Sequence, residues 1–315
     1  MKKTVVIILL IIIIALIGYW LLTREKEPVE EPLVLVAPPD TLSIASFNIQ
    51  FLGSYQKREH RALATILQNH DIVVIQELVA PPYAGSYPCG KSYQSDPESA
   101  QFFAAMQNFG YSYLLSEGDT GTGDKIHTPS TATEWWVAFY KPQTVSVAND
   151  LPGGFLAENR ANHPDYERVP YAFPFRSANR HLDFVLISVH LQPGDRSEEK
   201  QRRKHELASI AQWINQHNAY EKDFLIVGDM NIYSAEELAD VTPVGYLSLN
   251  DECRFTNTLT VNGGGKPYDH VMYHTTFTAN DIDLEYDLDV VDLIDVMRPF
   301  WSFPEPYPGD PYVHN

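Results

Sequence analysis

The feature that most restricts the fold of this chain is a series of short apolar segments separated by longer amphipathic stretches. The segments are rich in β-branched and aromatic side chains, as buried strands are. They cover residues 42–49, 72–75, 135–140, 184–191, 224–227 and 271–273. Strands that alternate with helices in this way predict an α/β domain.

The clearest helix prediction covers residues 197–218. Apolar residues recur there at the i, i+3, i+4, i+7 spacing of one helix face: Leu207, Ile210, Ala211 and Ile214. Asp195 and Glu198 are spaced as a capping box before this helix, and Ser234 and Glu237 repeat that spacing before a shorter one.

The same helix carries a basic cluster, which could be taken for a nucleic-acid patch: Lys200, Arg202, Arg203, Lys204 and His205. Glu198 and Glu199 precede Arg202 and Arg203 by four residues, a spacing that is typical of ion pairs on a solvated helix face. We therefore expect the cluster to lie in solvent.

The charge balance restricts the class of function. The chain has 41 acidic and 23 basic side chains and a formal net charge of −18. This balance argues against a protein that holds polyanions with a broad basic surface, but it does not exclude an enzyme that cuts them.

The N-terminus divides the chain into three parts. Residues 5–22 carry no charge, and at about 1.5 Å per residue they span about 27 Å, close to the apolar thickness of a bilayer. We predict a signal anchor or transmembrane helix at residues 1–22, a tether rich in Pro and Glu at residues 23–40, and one domain at residues 41–315.

A cleaved signal peptide and a soluble buried helix are the alternatives for residues 1–22. No A-x-A-like cleavage site follows the apolar run, which favours the uncleaved anchor. Lys2 and Lys3 favour a cytoplasmic N-terminus, although Arg24 and Lys26 flank the other end. We expect a membrane-anchored protein whose catalytic domain is extracytoplasmic, that is, periplasmic or extracellular.

Polar residues stand where the predicted strands end. Asn48 follows the first apolar run, Glu77 the second, His190 lies at the end of the fourth, and Asp229 and Asn231 follow the fifth. Carboxylate and amide oxygens suit Mg²⁺ or Mn²⁺, and an imidazole with a carboxylate partner moves protons near neutral pH. This set predicts phosphoryl chemistry.

In order and spacing, these segments resemble the endonuclease/exonuclease/phosphatase superfamily with the deoxyribonuclease-I-like fold. The matching pieces are Ser46-Phe47-Asn48-Ile49, Val74-Ile75-Gln76-Glu77, Glu134 ahead of residues 135–142, Arg168-Val169-Pro170, Ser188-Val189-His190-Leu191, Gly228-Asp229-Met230-Asn231 and Tyr268-Asp269-His270. The resemblance implies a four-layered α/β/β/α sandwich of two packed mixed sheets, with the site at one edge.

The resemblance also implies roles for single residues. Glu77 would be the principal ligand of Mg²⁺ or Mn²⁺, with Asn48 and Asp229 on the same metal site. His190 would be catalytic and Asp269 would orient it. Two further groups follow: Asp229 with Asn231 would position the scissile phosphate, and Arg168 would contact it.

One piece of the family pattern is missing. Members close with Ser-Asp-His, and that histidine is usually paired with the carboxylate that matches Glu134. No Ser-Asp-His occurs in this chain. Either Asp269-His270 is the closing motif, or the chain is cut short before it; we expect truncation, which would leave Glu134 without its histidine and put the activity of this chain in doubt.

The predicted function is that of a divalent-metal-dependent phosphoester hydrolase, foremost a nuclease that cleaves phosphodiesters by metal- and His-assisted attack of water. A phosphoinositide phosphatase or a sphingomyelinase-like lipid phosphodiesterase is the first alternative, and a non-catalytic, membrane-tethered binding module is the second. The expected partners are nucleic acid or another phosphoester, and the membrane. We predict no protein partner and a monomer.

Cys89 and Cys253 could form a disulfide or stay free.

Overall fold

The structure of the protein is a computed structural model that describes residues 41–54, 58–179, 181–258, 265–283, 288–301, 304 and 307. These residues belong to one compact unit. The predicted anchor and tether, residues 1–40, lie outside the described residues. Within the described ranges there is no helix with the length and apolarity needed to cross a membrane.

Fifteen strands are described, in chain order β1 Ile44–Leu52, β2 Ile72–Leu78, β3 Gly85–Ser86, β4 Ser92–Tyr93, β5 Ser112–Gly121, β6 Thr133–Tyr140, β7 Val145–Val147, β8 Gly154–Phe155, β9 Tyr171–Ser177, β10 Asp183–His190, β11 Phe224–Asp229, β12 Tyr246–Ser248, β13 Asn257–Thr258, β14 Gly265–Lys266 and β15 Asp269–His274. The helices are α1 His60–Leu67, α2 Pro97–Asn108, α3 Ser197–His217, α4 Ala235–Val241 and α5 Leu293–Met297, with a 3-10 turn at Arg298–Phe300.

Two mixed sheets form the centre of the domain. The first sheet has the order β1-β2-β6-β5, with β1 parallel to β2 and the other pairs antiparallel. The second has the order β12-β15-β11-β10-β9-β7, with β8 also paired to β9, and only β10 and β11 are parallel. This confirms the predicted α/β fold with two mixed sheets.

Alternating side chains explain the layers. In β2, Val73 and Ile75 pack under α1 and α2, whereas Ile72 and Val74 face the second sheet. The buried interface between the sheets includes Trp136 from the first and Phe173 from the second. A third cluster lies between the second sheet and helices α3 and α4. Helices therefore cover both outer faces of the paired sheets.

The structure bears on the predicted helix caps and on the two cysteines. The capping box of α3 lies one residue further along than predicted, because Glu199 accepts the backbone N–H of Arg196 at 2.9 Å. The predicted cap of α4 is confirmed, since Ser234 accepts the backbone N–H of Glu237. Cys89 and Cys253 are both free thiols, so the disulfide alternative is wrong.

Candidate active site

Strand direction brings the polar ends of six strands to one edge of the paired sheets. The parallel strands β1 and β2 end at this edge in the first sheet, and β10 and β11 end there in the second. Strands β6 and β15 run antiparallel to their neighbours, so they begin at the same edge. Every site residue predicted on a strand therefore lies at this edge, as the resemblance implied: Asn48, Glu77, Glu134, His190, Asp229 and Asp269.

Asn48 links the two sheets. Its Nδ2 donates to Oε1 of Glu77 and to Oδ2 of Asp229, each at 3.0 Å. Its Oδ1 accepts the backbone N–H of Gln50 at 3.0 Å, and Phe51 donates its backbone N–H to Oε2 of Glu77 at 3.0 Å. The predicted metal-binding residues Asn48, Glu77 and Asp229 are thus brought together around one amide.

The backbone at these strand ends is unusual. Glu77, Asn231, Gln50 and Phe51 have φ values of 62°, 51°, 52° and 55°, in the left-handed region that non-glycine residues rarely adopt. At Glu77 the pairing of β2 with β6 is also irregular between Ile75 and Leu78. Such strain of about 1–3 kcal/mol per residue persists only where the surroundings enforce it, and it concentrates at functional sites.

His190 pairs with Glu134, which is a correction. Its Nδ1 lies 3.3 Å from Oε2 of Glu134. The prediction assigned the orienting role to Asp269 and expected Glu134 to lack a histidine. In the structure Glu134, not Asp269, orients His190. The side chain of Glu134 extends from the first sheet to the end of β10 in the second. Nε2 of His190 faces the metal-binding residues, 3.9 Å from Oε1 of Glu77 and 3.9 Å from Oδ2 of Asp229.

Arg168 completes this buried group. Its Nε lies 3.2 Å from Oε1 of Glu134, and its Nη1 donates to the carbonyl oxygen of His190 at 3.5 Å. Only 9% of Arg168 is exposed. The guanidinium therefore supports the Glu134–His190 pair directly, and its predicted contact with a phosphate stays a prediction.

The electrostatics of the pair follow from burial and charge. Burial alone would raise the pKa of the Glu134 carboxyl, but His190 and Arg168 outweigh it and lower that pKa. Burial and Arg168 would lower the pKa of His190, yet Glu134 and Asp229 raise it above its usual value. The two shifts together favour a charged, hydrogen-bonded His190–Glu134 pair.

Asp269 lies beside Asp229 in the second sheet, as its partner in the β11–β15 pairing. Its backbone N–H donates to Oγ1 of Thr256 at 2.9 Å, and its buried Oδ1 has no hydrogen-bond partner. Burial and the charge of Asp229 raise the pKa of Asp269 to about 7. An unpaired buried carboxylate oxygen beside another carboxylate is a position that attracts a cation.

His270 is not part of the site. It is 1% exposed, and its Nδ1 lies 2.9 Å from Oγ of Ser248 on the neighbouring strand. Burial lowers the pKa of His270 to about 4, so it is neutral at physiological pH. The alternative in which Asp269-His270 supplies the last catalytic histidine is therefore not supported by the geometry.

Asn231 is held at the end of β11 by its neighbours. Its backbone N–H donates to Oδ1 of Asp229 at 2.8 Å, and its Nδ2 donates to the carbonyl of Leu191 at 3.1 Å. Asn231 thus joins the ends of β10 and β11 next to His190.

Gln76 is a structural member of the site to which the sequence analysis gave no role. It is fully buried; its Oε1 accepts from Oγ of Ser46 at 3.2 Å, and its Nε2 donates to Oγ of Ser188 at 3.3 Å. This polar bridge crosses the interface between the sheets just below Asn48 and His190. The signal in the sequence was a glutamine within an otherwise apolar buried strand.

The charge of the site fits the divalent ion that the resemblance implies. Four carboxylates, those of Glu77, Glu134, Asp229 and Asp269, face one guanidinium and one imidazole, which leaves a surplus of negative charge. In the described part of the chain, no three His, Cys, Asp or Glu side chains converge closely enough to form a metal site by themselves. Glu77 and Asp229 supply carboxylate oxygens, which suit Mg²⁺ or Mn²⁺, whereas Asn48 presents Nδ2 to these carboxylates and uses Oδ1 to accept from Gln50.

Comparison with known proteins agrees with this geometry. A model of the Endonuclease/Exonuclease/phosphatase family matches residues 45–291. No curated protein matches the chain in sequence.

Three solved structures are similar in fold. A functionally unknown conserved protein from Enterococcus faecalis V583 is 15% identical with a TM-score of 0.51, over 73% of this chain and 86% of that chain. An endonuclease/exonuclease/phosphatase family protein from Bacteroides thetaiotaomicron is 14% identical with a TM-score of 0.50, over 73% and 80%. A mannosyl-6-phosphatase from Bacteroides thetaiotaomicron VPI-5482 is 13% identical with a TM-score of 0.50, over 75% and 86%. At these identities the likeness concerns the fold alone.

Proposed function

Because the chain belongs to the endonuclease/exonuclease/phosphatase family, whose members are hydrolases of phosphoesters, we propose that it is a divalent-metal-dependent phosphodiesterase that acts foremost on nucleic acids. The observation that carries the proposal is the convergence of Asn48, Glu77 and Asp229 beside the buried His190–Glu134 pair. The fold alone would not justify it, since one fold supports many activities.

Glu77 and Asp229 would hold the ion through carboxylate oxygens, and Asn48 would join them through Oδ1 in place of its bond to Gln50. Asp269, opposite Asp229 in the β11–β15 pairing, would add negative charge. The chemistry supplied by a bound Mg²⁺ or Mn²⁺ is neutralisation of charge on the non-bridging oxygens of the phosphate. The chain has a net charge of −18, so its contact with a polyanion would be local and would depend on the ion. We expect weak binding of nucleic acid without divalent ions.

His190 would transfer a proton to or from an oxygen of the substrate through Nε2, the ring nitrogen that faces the metal-binding residues. Glu134 accepts from Nδ1 and thereby fixes the orientation of the ring and stabilises its protonated form. Asn231 lies two residues after Asp229. Its side chain would donate a hydrogen bond to the charge that develops on the phosphate.

Metal removal and one substitution test this proposal. The wild-type chain should hydrolyse a chromogenic phosphodiester in Mg²⁺, lose the activity in EDTA and regain it when Mg²⁺ is restored. Glu77→Gln should remove metal-dependent turnover without unfolding the chain, whereas Glu158→Gln, at an exposed carboxylate, should leave it unchanged. Undiminished hydrolysis by Glu77→Gln would contradict the assignment.

A substrate panel then tests the specificity. DNA, RNA, inositol phosphates and sphingomyelin should be compared at equal phosphoester concentration, and the proposal predicts the highest kcat/KM for a nucleic acid. Preference for inositol phosphates or sphingomyelin would support the lipid-directed alternative instead. A chain that binds but turns over none of them would support the binding module.

We also propose that residues 1–22 anchor the domain to a membrane. The support is the uncharged run of residues 5–22, which is long enough to span the apolar core of a bilayer. Membrane extraction at alkaline pH tests it: the full chain should stay with the membrane fraction, and a chain that starts at residue 41 should be released.

A further inference from the structure

Helix α3 buries two charged side chains beneath the candidate active site. Arg203 and Glu206 are both 0% exposed, although the sequence analysis expected Arg203 on a solvated face with its basic neighbours. That expectation is wrong for Arg203, because the i, i+3 spacing places it with Glu206 and Leu207 on the face that packs against the second sheet.

Glu206 accepts two backbone N–H groups from segments that are far apart in the chain. One oxygen, Oε1, accepts from Glu167 at 2.7 Å, and the other, Oε2, accepts from Gln192 at 3.0 Å. Glu167 directly precedes Arg168, and Gln192 lies two residues after His190. A single buried carboxylate thus ties the backbone beside Arg168 to the backbone beside His190.

Arg203 extends this connection to the end of β11. Its Nη1 donates to the carbonyl oxygens of Gln192 and Gly194 at 2.7 and 2.8 Å. Its Nε donates to Oε1 of Glu237 at 2.8 Å, and Oε2 of Glu237 accepts the backbone N–H of Tyr233 at 3.1 Å. Tyr233 lies two residues after Asn231.

We propose that Arg203 and Glu206 are positioning residues, which fix His190, Arg168 and Asn231 relative to one another by holding the backbone beside each. The inference rests on the proposed function, since it concerns the geometry of that reaction. Neither side chain touches the site residues, so the effect passes through the bonded backbone groups.

The two buried charges gain little stability from their burial. Removing an ion from water is costly, and a pair of apolar side chains at these positions would often be as stable or more stable. Burial is therefore not explained by stability alone. Here the hydrogen bonds run to backbone groups close to site residues, or from Arg203 to the carboxylate of Glu237, and a satisfied network of this kind holds one arrangement. Rigid placement matters because a displacement of about 1 Å can lower a rate about 10²-fold.

The test compares Glu206→Gln with wild type. The amide keeps the size of the carboxylate but can accept only one of the two N–H groups, so one segment loses its bond. On a chromogenic phosphodiester with Mg²⁺, we expect kcat to fall about tenfold or more while KM stays within about threefold. Glu198→Gln, at an exposed position in the first turn of the same helix, is the matched control and should match wild type.

Hydrogen–deuterium exchange supplies a readout that does not depend on activity. In Glu206→Gln we expect faster exchange in the peptides that contain residues 167–168 and 190–194, and unchanged exchange in β9, the middle of β10 and β11. A variant that only loosens the fold would instead exchange faster throughout the second sheet, with kcat falling in proportion to the unfolded fraction; that result would overturn the inference.

Arg203→Lys provides a second variant if Glu206→Gln does not fold. The lysine keeps the charge beside Glu237 but cannot also reach both carbonyl groups, so the same fall in kcat is expected. An unchanged kcat in the folded variants would overturn this inference and leave the proposed function intact. Absence of hydrolysis by the wild-type chain would overturn the proposed function, and this inference with it.

Discussion

The backbone nitrogen of Glu77 donates a hydrogen bond to Oε2 of Glu134 at 2.9 Å, and the same oxygen lies 3.3 Å from Nδ1 of His190. One carboxylate therefore holds both the strained residue that carries the predicted metal ligand and the imidazole from the opposite sheet. The left-handed φ of Glu77 turns its N–H toward Glu134 while its side chain faces Asn48. Glu134 thus links Glu77, the predicted metal ligand, to His190, the predicted proton-transfer residue.

Glu134→Gln should damage stability and activity together. The substitution removes the charge that pairs with Arg168 and His190 and leaves the guanidinium buried without its partner ion. Loss of one partner from a buried pair costs about 3–5 kcal/mol in the free energy of unfolding. Urea denaturation measures this cost, with exposed Glu158→Gln as the control. A loss below about 1 kcal/mol, typical of surface pairs, would show that the pair is not isolated from solvent.

His190→Asn should lower kcat strongly while the chain stays folded, because Arg168 still pairs with the buried Glu134. Proton transfer by a positioned side chain contributes about 10²–10⁴-fold to a rate, and asparagine cannot exchange a proton at neutral pH. Initial rates at saturating substrate measure kcat, and circular dichroism checks that the variant is folded. His181→Asn, at an exposed position, should behave as wild type. Turnover within about threefold of wild type would remove His190 from the mechanism.

Most of the site edge could be predicted from the sequence because strand ends are local signals. The apolar runs before Asn48, Glu77, His190 and Asp229 identified buried strands, and the polar residue after each run marked the point where the strand leaves the core. All six predicted strands are present in the structure, with ends shifted by a few residues.

The partner of His190 could not be predicted in this way. Glu134 belongs to the first sheet and His190 to the second, so their contact depends on how the two sheets align across the core. Asp269 was the expected partner because the family resemblance implied that role. No local pattern reports the alignment of one sheet on another. The burial of Arg203 was missed for a different reason: its helical spacing with Leu207 marked the buried face, but its spacing with Glu199 was interpreted as a solvated ion pair.

Strand β9 was missed for a different reason. It contains Pro174, and proline usually argues against a central strand because it has no N–H to donate. In the structure β8 pairs with Tyr171 and Ala172, and β7 pairs with residues 175–177, so Pro174 lies between the two short partners. The proline is tolerated because this position needs no N–H on that side.

Gly228→Ala should destabilise the strand that ends at Asp229. Gly228 has a φ of 140°, and a Cβ there would lie 2.2 Å from the carbonyl oxygen of Val189 on β10. The clash is with backbone, so the strands must separate beside His190, and we expect a loss of at least about 2 kcal/mol in the free energy of unfolding. Gly154→Ala is the control: its φ is 103° and no atom lies within 4 Å of the added Cβ, so it carries only backbone strain, about 1–2 kcal/mol. Equal losses in the two variants would show that the clash is relieved without cost.

Glu206 should make the stability of the domain fall as the pH rises. Burial raises the pKa of Glu206 from 4.5 to about 7, although the N–H groups of Gln192 and Glu167 and the charge of Arg202 oppose the shift. Between these two values the folded chain holds a proton that the unfolded chain has released. The stabilisation is therefore fully present below pH 4.5 and is lost as the pH rises through about 7.

Comparison with Glu206→Gln isolates this effect, because every other titrating group is common to both chains. A shift of this size corresponds to about 3 kcal/mol. The difference in unfolding free energy between wild type and Glu206→Gln should therefore move by up to about 3 kcal/mol in favour of the variant from pH 5 to pH 8. Urea denaturation at the two pH values measures it, with Glu198→Gln as a control that should show no such change. A difference that stays constant with pH would mean that Glu206 keeps an ordinary pKa, and its two hydrogen bonds would then offset the cost of burying the charge.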